Sequence, residues 1–263
     1  MAFDRATFDI KLGKSFKKVG KSYHIGRKDY PKYLIKDIIN ISGIKKDSLI
    51  LDVGCGTGKS TIPFARKGHK IIGIDISENM LKIAKRLSIN YKNAEYKQIS
   101  FERFQLTPNL FNLILFGTSI HWLDSKMAYK KAGMLLKKNG YIALFFEPIG
   151  SLCKKIRALD MEEIFIRHCP YYPQNLSRSA NKTKIEGIVK SKYFAKPLIK
   201  KYKFIHKYGQ EEFLSLIKTY SWVVSLNTKK KNNLIREVKL FLCKNNNAIN
   251  FRTEVYLIMA RRK

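Results

Sequence analysis

Short apolar runs alternate with stretches of helical character through the first half of the chain. Ser48–Val53 (SLILDV), Lys70–Ile74 (KIIGI), Ala94–Gln98 (AEYKQ), Asn112–Phe116 (NLILF) and Tyr141–Phe146 (YIALFF) each have the length of a strand. Runs dense in Ile, Leu and Phe fit strands buried in a parallel sheet. Lys126–Leu136, rich in Ala, Met and Leu, reads as a helix, and Lys137-Lys138-Asn139-Gly140 as its stop signal. Further on, Ile156–Arg167 places Ile156, Leu159 and Ile166 at helical spacing before Cys169-Pro170-Tyr171-Tyr172-Pro173 breaks it. Gln210–Val224 and Thr228–Cys243 read as helices, and Thr253–Ala260 alternates as a last strand. Strand, helix, strand in this order predicts an α/β fold.

The junction after the first strand carries the chemistry. Ile50–Ile76 holds Asp52, Gly54, Gly56 and Gly58 before a helix, and Asp75 closes the second strand. A dinucleotide fingerprint requires GxGxxG, and Lys59 stands where its third glycine belongs. A phosphate-binding P-loop requires GxxxxGK[ST]. Gly58-Lys59-Ser60 supplies the end of it, but Val53 occupies the place of its first glycine. The fourth strand also has no acid to hold magnesium. The pattern Asp52-x-Gly54-x-Gly56-x-Gly58, with Asp75 one βαβ length later, resembles motif I and the acidic motif of the class I S-adenosylmethionine-dependent methyltransferases.

That resemblance extends along the chain. Gly117-Thr118-Ser119-Ile120-His121-Trp122-Leu123-Asp124 is similar to the post-strand motif of the small-molecule branch that includes trans-aconitate methyltransferases. Tyr23-x-x-x-Arg27-x-x-Tyr30-Pro31 resembles the entry segment of the same branch, with Lys28 in place of a proline. The family fold it implies is Rossmann-like and doubly wound: a seven-stranded, mainly parallel sheet with an antiparallel last strand and a helical lid. The implied cofactor is S-adenosyl-L-methionine, held at Asp52, Gly54, Cys55, Gly56 and Gly58, with Asp75 on the ribose. Ile76, Ser100, Phe101 and Gly117 would line the rest of its site, and Arg27 would grip its carboxylate with two hydrogen bonds. His121, just after the fourth strand, is the candidate general base for an oxygen or nitrogen acceptor. The enzyme would methylate a small molecule, possibly acidic.

Length and composition set the remaining bounds. The 263 residues are read as a single domain. Residues 1–34 form a lid arm, 35–149 the cofactor-binding core, 150–196 a substrate cap, and 197–263 the C-terminal part of the core. The four cysteines are too scattered for a zinc cluster or a disulfide framework, so no metal and a reduced cytoplasmic setting are expected. No apolar run is long enough to span a membrane. Lys and Arg number 52 against 20 Asp and Glu, a net charge of +32. Such a field attracts anions, and 178–207 interleaves ten basic residues with Tyr193, Phe194, Tyr202 and Phe204. Two readings explain the charge: an RNA-methylating surface, or lysine enrichment spread over the whole chain. A non-catalytic protein that keeps the cofactor fold is a third possibility, opposed by the intact Asp52, Gly54, Gly56, Gly58 and Asp75.

Overall fold

The computed structural model describes residues 19–105, 107–147, 154, 156, 159–172, 180–244 and 248–263. The expected lid arm lies outside these up to residue 18, as do several positions of the expected cap. Helices α1 (Gly20–Gly26) and α2 (Lys32–Ser42) precede β1 (Leu49–Val53), α3 (Thr61–Ala65), β2 (Lys70–Asp75) and α4 (Glu78–Leu87). Then come β3 (Ala94–Gln98), β4 (Phe111–Gly117), α5 (Ser125–Leu135) and β5 (Leu136–Phe146). The rest comprises α6 (Glu162–His168), α7 (Ala180–Lys190), β6 (Leu198–Gly209), α8 (Gln210–Ile217), α9 (Ser221–Val224), α10 (Thr228–Lys244) and β7 (Ala248–Arg261).

The strands form one sheet in the order β3-β2-β1-β4-β5-β7-β6. Pairing is parallel between β1 and β2, β1 and β4, β2 and β3, and β4 and β5, and antiparallel between β5 and β7. The doubly wound sheet with a reversed last strand is therefore present. Local chemistry marks the helix starts: Ser77 caps α4 by accepting from the Met80 N–H, and Asp124 caps α5 by accepting from the Met127 N–H.

Four elements differ from the sequence reading. The helix expected over Ile156–Arg167 is broken by a turn at Leu159–Asp160, where Asp160 takes φ +54°, and α6 starts only at Glu162. Lys137–Gly140 is not a helix stop but a bulge inside β5, where the register jumps from Phe111↔Leu136 to Leu113↔Tyr141 and Asn139 takes φ +64°. Leu136 is wholly buried, and pairing it with Phe111 draws the chain into the sheet at once. The single helix expected over Gln210–Val224 is interrupted at Thr219, whose buried hydroxyl bonds back to the Leu216 carbonyl. Strand β6 went unread. Its signal is Tyr202, Phe204, His206 and Tyr208 at every second position, masked by the lysines between them.

The chain gathers into two compact units, each with its own core. The first comprises residues 1–28, 148–178 and 203–254, and packs Phe165, Phe213, Trp222, Leu234, Val238 and Phe251 together. The second comprises residues 29–147, 179–202 and 255–263, and buries Leu51, Phe101, Ile114, Phe116, Tyr129 and Leu144 against one another.

Within the first unit α1 lies so close to α8 that a Cβ added at Gly26 would stand 2.1 Å from the Leu216 nitrogen. Gly26→Ala should therefore force the helices apart and destabilise the protein by about 3 kcal/mol. Chemical denaturation checks this, and an unchanged midpoint would show that the contact yields freely.

Candidate active site

The loop after β1 turns on three left-handed glycines, Gly54 (φ +69°), Gly56 (φ +54°) and Gly58 (φ +84°). Other residues pay a steric penalty in that region. Their backbone is tied to the neighbouring strand. The Gly54 and Cys55 N–H groups both donate to the Ile74 carbonyl, at 2.8 and 3.0 Å. The Gly56 N–H donates to Asp75 Oδ2 at 2.9 Å, while the Ser77 N–H donates to Asp75 Oδ1 at 2.8 Å. Asp75 thus clasps the glycine loop to the tip of β2. The Ile76 N–H contributes a third bond to the carboxylate, which keeps capacity for a further donor.

Asp52 lies beneath the loop with no solvent exposure. Its Oδ2 accepts from the hydroxyls of Ser60 and Thr61, both at 2.6 Å. Its Oδ1 is buried and receives no hydrogen bond from the described residues. A buried acceptor left in that state is costly unless a ligand supplies the donor. Desolvation, opposed by the Ser60 and Thr61 hydroxyls and reinforced by the Asp75 charge, pushes the Asp52 carboxyl up to about 6. Burial also raises Asp75, against the N–H bonds it receives. Two desolvated carboxylates that repel each other favour a cationic partner.

The far wall is the tip of β4, adjacent to β1, where the sheet order reverses. Open α/β sheets bind ligands at that switch point. Ser119 donates its hydroxyl to the Val53 carbonyl, joining the two strand tips. A Cβ at Gly54 would come within 2.6 Å of the Ser119 Cβ, and one at Gly117 within 3.0 Å of the Phe145 ring. Thr118 holds φ +56°, rare for a β-branched residue. Tyr30, edge-on to Phe145 at 4.7 Å, shares a 2.9 Å hydrogen bond between its hydroxyl and Thr118 Oγ1. Sequence reasoning quoted Tyr30, Thr118 and Ser119 without assigning them roles. It also missed Ser60 and Thr61, the two hydroxyls on Asp52.

The other expected site residues fall differently. Ile76 is exposed at the tip of β2, an apolar surface beside Asp75. Cys55 points away from the crevice: its thiol packs under Gly73, and burial pushes its pKa well above the ordinary value. Phe101 is a core side chain, 5.8 Å from Phe116 and edge-on to it. Both residues therefore present only backbone to a ligand, with Ser100 half-buried beside Phe101. His121 is exposed on a single 3-10 turn, Ile120–Trp122, with its ring 4.7 Å from that of Trp122. Arg27 belongs to the first unit, where its Nε donates to Thr219 Oγ1 at 3.2 Å and its guanidinium lies 4.4 Å from the Tyr220 ring centroid.

Within the basic stretch, three of the four interleaved aromatics are engaged in packing, while most of its described lysines are exposed. Phe194 is buried and forms a bridge with Arg262, and Tyr193 fills the space over Gly133. Tyr202 and Lys200 both donate to Asp37 Oδ2, at 2.7 and 2.9 Å, which holds the Asp37 carboxyl below its usual range. Of the four interleaved aromatics, Phe204 alone is left without one of these structural assignments. Among the described residues no helix is long and apolar enough to cross a membrane.

Comparison with known proteins adds independent findings. Residues 50–140 match the model of a methyltransferase domain. An uncharacterized methyltransferase of Schizosaccharomyces pombe is 28% identical over 195 residues, 67% of this chain and 76% of that protein. A demethylmenaquinone methyltransferase of Staphylococcus carnosus is 30% identical over 109 residues, covering 40% of this chain and 45% of the relative. The chain spans about half the length of matched relatives from Dictyostelium discoideum and Saccharomyces cerevisiae, 49% and 47%. Among solved structures, phosphoethanolamine N-methyltransferase 2 of Haemonchus contortus, in complex with phosphomonomethylethanolamine and S-adenosylhomocysteine, superposes with a TM-score of 0.55. The overlap covers 94% of this chain and 57% of that one, at 16% identity. At that identity the likeness is one of fold.

Proposed function

We propose, on the premise that the chain belongs to the class I S-adenosylmethionine-dependent methyltransferases, that it methylates an oxygen or nitrogen atom of a small molecule. The observation that carries the cofactor assignment is the buried Asp52 Oδ1 beneath a left-handed glycine loop clasped by Asp75. The residues present fit the group: two desolvated carboxylates suit a ligand bearing an ammonium and a sulfonium, and Asp75 retains acceptor capacity for ribose hydroxyls. S-adenosylmethionine supplies a methyl group already activated for displacement. The chain's own contribution is to fix the approach and to exclude water. The glycine loop holds one side of the crevice, while Thr118 and Ser119 form the opposite wall. His121, on the turn that follows β4, would serve as the base for a hydroxyl or amine acceptor, whereas a carboxylate acceptor needs none. The carboxylate role of Arg27 rests on the resemblance of the entry segment alone.

Small-molecule transfer is favoured over RNA because Tyr193, Phe194 and Tyr202 are committed to packing, which leaves Phe204 alone of the four interleaved aromatics for stacking. Incubation with labelled methyl donor and either a metabolite extract or total RNA tests this. Label should enter a small product and not RNA, and Lys200→Gln with Lys201→Gln and Lys203→Gln should leave incorporation into RNA at background. Stoichiometric labelling of one RNA position, lost in that triple variant, would replace the proposal.

Donor affinity should depend on pH through Asp52. In the free protein its carboxyl titrates at about 6, so it is protonated below that pH. A cationic ligand favours the ionised form, and affinity should therefore climb as pH rises through about 6 and level off above it. The same shift has a stability cost. A folded-state pKa above the unfolded value of about 3.8 gives stabilisation that is present at low pH and lost as pH rises through about 6. Calorimetry across about pH 5 to 7 reads the binding effect, and Asp52→Asn should flatten it. An equally steep profile in that variant would assign the titration elsewhere.

A further inference from the structure

Helices α1, α8 and α10 enclose a cavity of about 380 Å3, all of whose lining residues belong to the first unit. A space of that size holds a small organic molecule. Close packing shapes it: α1 meets α8 at Gly26, where a Cβ would stand 2.1 Å from the Leu216 nitrogen. Ile25 and Leu214 give the cavity an apolar wall. Each helix then contributes one cation. Lys21 comes from α1, Lys218 from the C-cap of α8, and Lys239 from α10. The only acid in the lining is Glu211, so the wall carries 3 − 1 = +2. Among the described residues no ion pair neutralises any of the three lysines.

Ser215 adds an independent observation. It is only 6% exposed, lines the cavity, and makes no side-chain hydrogen bond among the described residues. A helical serine commonly returns its hydroxyl to the carbonyl four residues earlier, as Ser42 does to Ile38 in α2. Ser215 instead keeps its hydroxyl for what enters the cavity. Uncompensated cations around a concavity focus the field and concentrate anions there. Lysine ammoniums act as point charges and suit the several oxygens of a phosphate, whereas the fork of arginine matches a planar carboxylate; no arginine lines this wall. We propose that the cavity binds a phosphate-bearing small molecule. Its phosphate is held by Lys21, Lys218, Lys239 and the Ser215 hydroxyl, and its less polar part rests on Ile25 and Leu214. A ligand that touches all three helices also fastens α1 to α8 and α10. The site does not rest on the methyltransferase reading.

Calorimetric titration of inorganic pyrophosphate into the protein, at about 0.15 M ionic strength, tests the site. The wild type should show one saturable site and a Tm that rises when it is filled. Lys218→Gln and Lys239→Gln should each weaken binding about tenfold, the scale of one charge-assisted contact. Ser22→Trp changes no charge but fills space at the cavity wall, and it should abolish binding. Lys92→Gln, at an exposed position elsewhere, reports the general field of the +32 charge and should leave affinity unchanged. Thermal melts show which variants fold, and if Ser22→Trp does not, the lysine variants decide alone. Absence of saturable binding in the wild type, wild-type affinity in a folded Ser22→Trp, or a loss in Lys92→Gln as large as in Lys218→Gln overturns the proposal. S-adenosylhomocysteine affinity should be the same in Lys218→Gln and Lys239→Gln as in the wild type, so the donor site is tested separately.

Discussion

Asp75→Ala should raise the Kd for S-adenosylmethionine by more than about a hundredfold, a loss of about 3 kcal/mol. Two contributions combine. The ribose loses a charged acceptor, and the Gly56 and Ser77 N–H groups lose the carboxylate that holds loop and strand together. The fold should survive, because burial already opposes the ionised form of Asp75 and its removal relieves that cost. Calorimetry alongside a thermal melt separates the two effects. Wild-type affinity in a folded variant would remove Asp75 from the site, while joint loss of binding and folding would make it a structural clasp only.

Gly56→Val should abolish donor binding. Valine at φ +54° is strained by about 1–2 kcal/mol, and its branched side chain would stand on the loop that faces the crevice. Gly43→Val separates strain from blockage. Gly43 ends α2 at φ +63° with nothing within 4 Å of an added Cβ, so the backbone penalty there comes without a steric clash or a binding role. Both variants should lose similar stability, and Gly56→Val alone should lose the donor. If the Gly43 variant also fails to bind, or the Gly56 variant binds normally, the loop is not the cradle inferred here.

What the sequence made legible was governed by local chemistry. The glycine spacing after β1 requires a left-handed loop, and Gly54, Gly56 and Gly58 all adopt that conformation. β3 forms over Ala94–Gln98 as read, and β1, β2 and β4 lie within one residue of their expected ends. Where long-range contacts decide, the reading failed. Lys137–Gly140 looks like a helix stop, yet pairing of Leu136 with Phe111 makes it a bulge. In β6 the lysines hid an alternating aromatic row. Side-chain direction was equally out of reach. Cys55 and Phe101 occupy motif positions, but their side chains are drawn into the core, and local sequence does not reveal which way a loop residue turns. Asp52 was assigned to the cofactor from its motif. Its raised pKa and unsatisfied Oδ1 depend on Ser60, Thr61 and Asp75 converging on it in space.

Isothermal titration of the protein with S-adenosylmethionine, S-adenosylhomocysteine, ATP and NAD tests the central claim most directly. The account predicts one site per chain for S-adenosylmethionine and its demethylated product, lost in Asp75→Ala and Gly56→Val, with no comparable binding of ATP or NAD. Saturable binding of ATP or NAD at the same glycine loop, with no heat from S-adenosylmethionine, would contradict it.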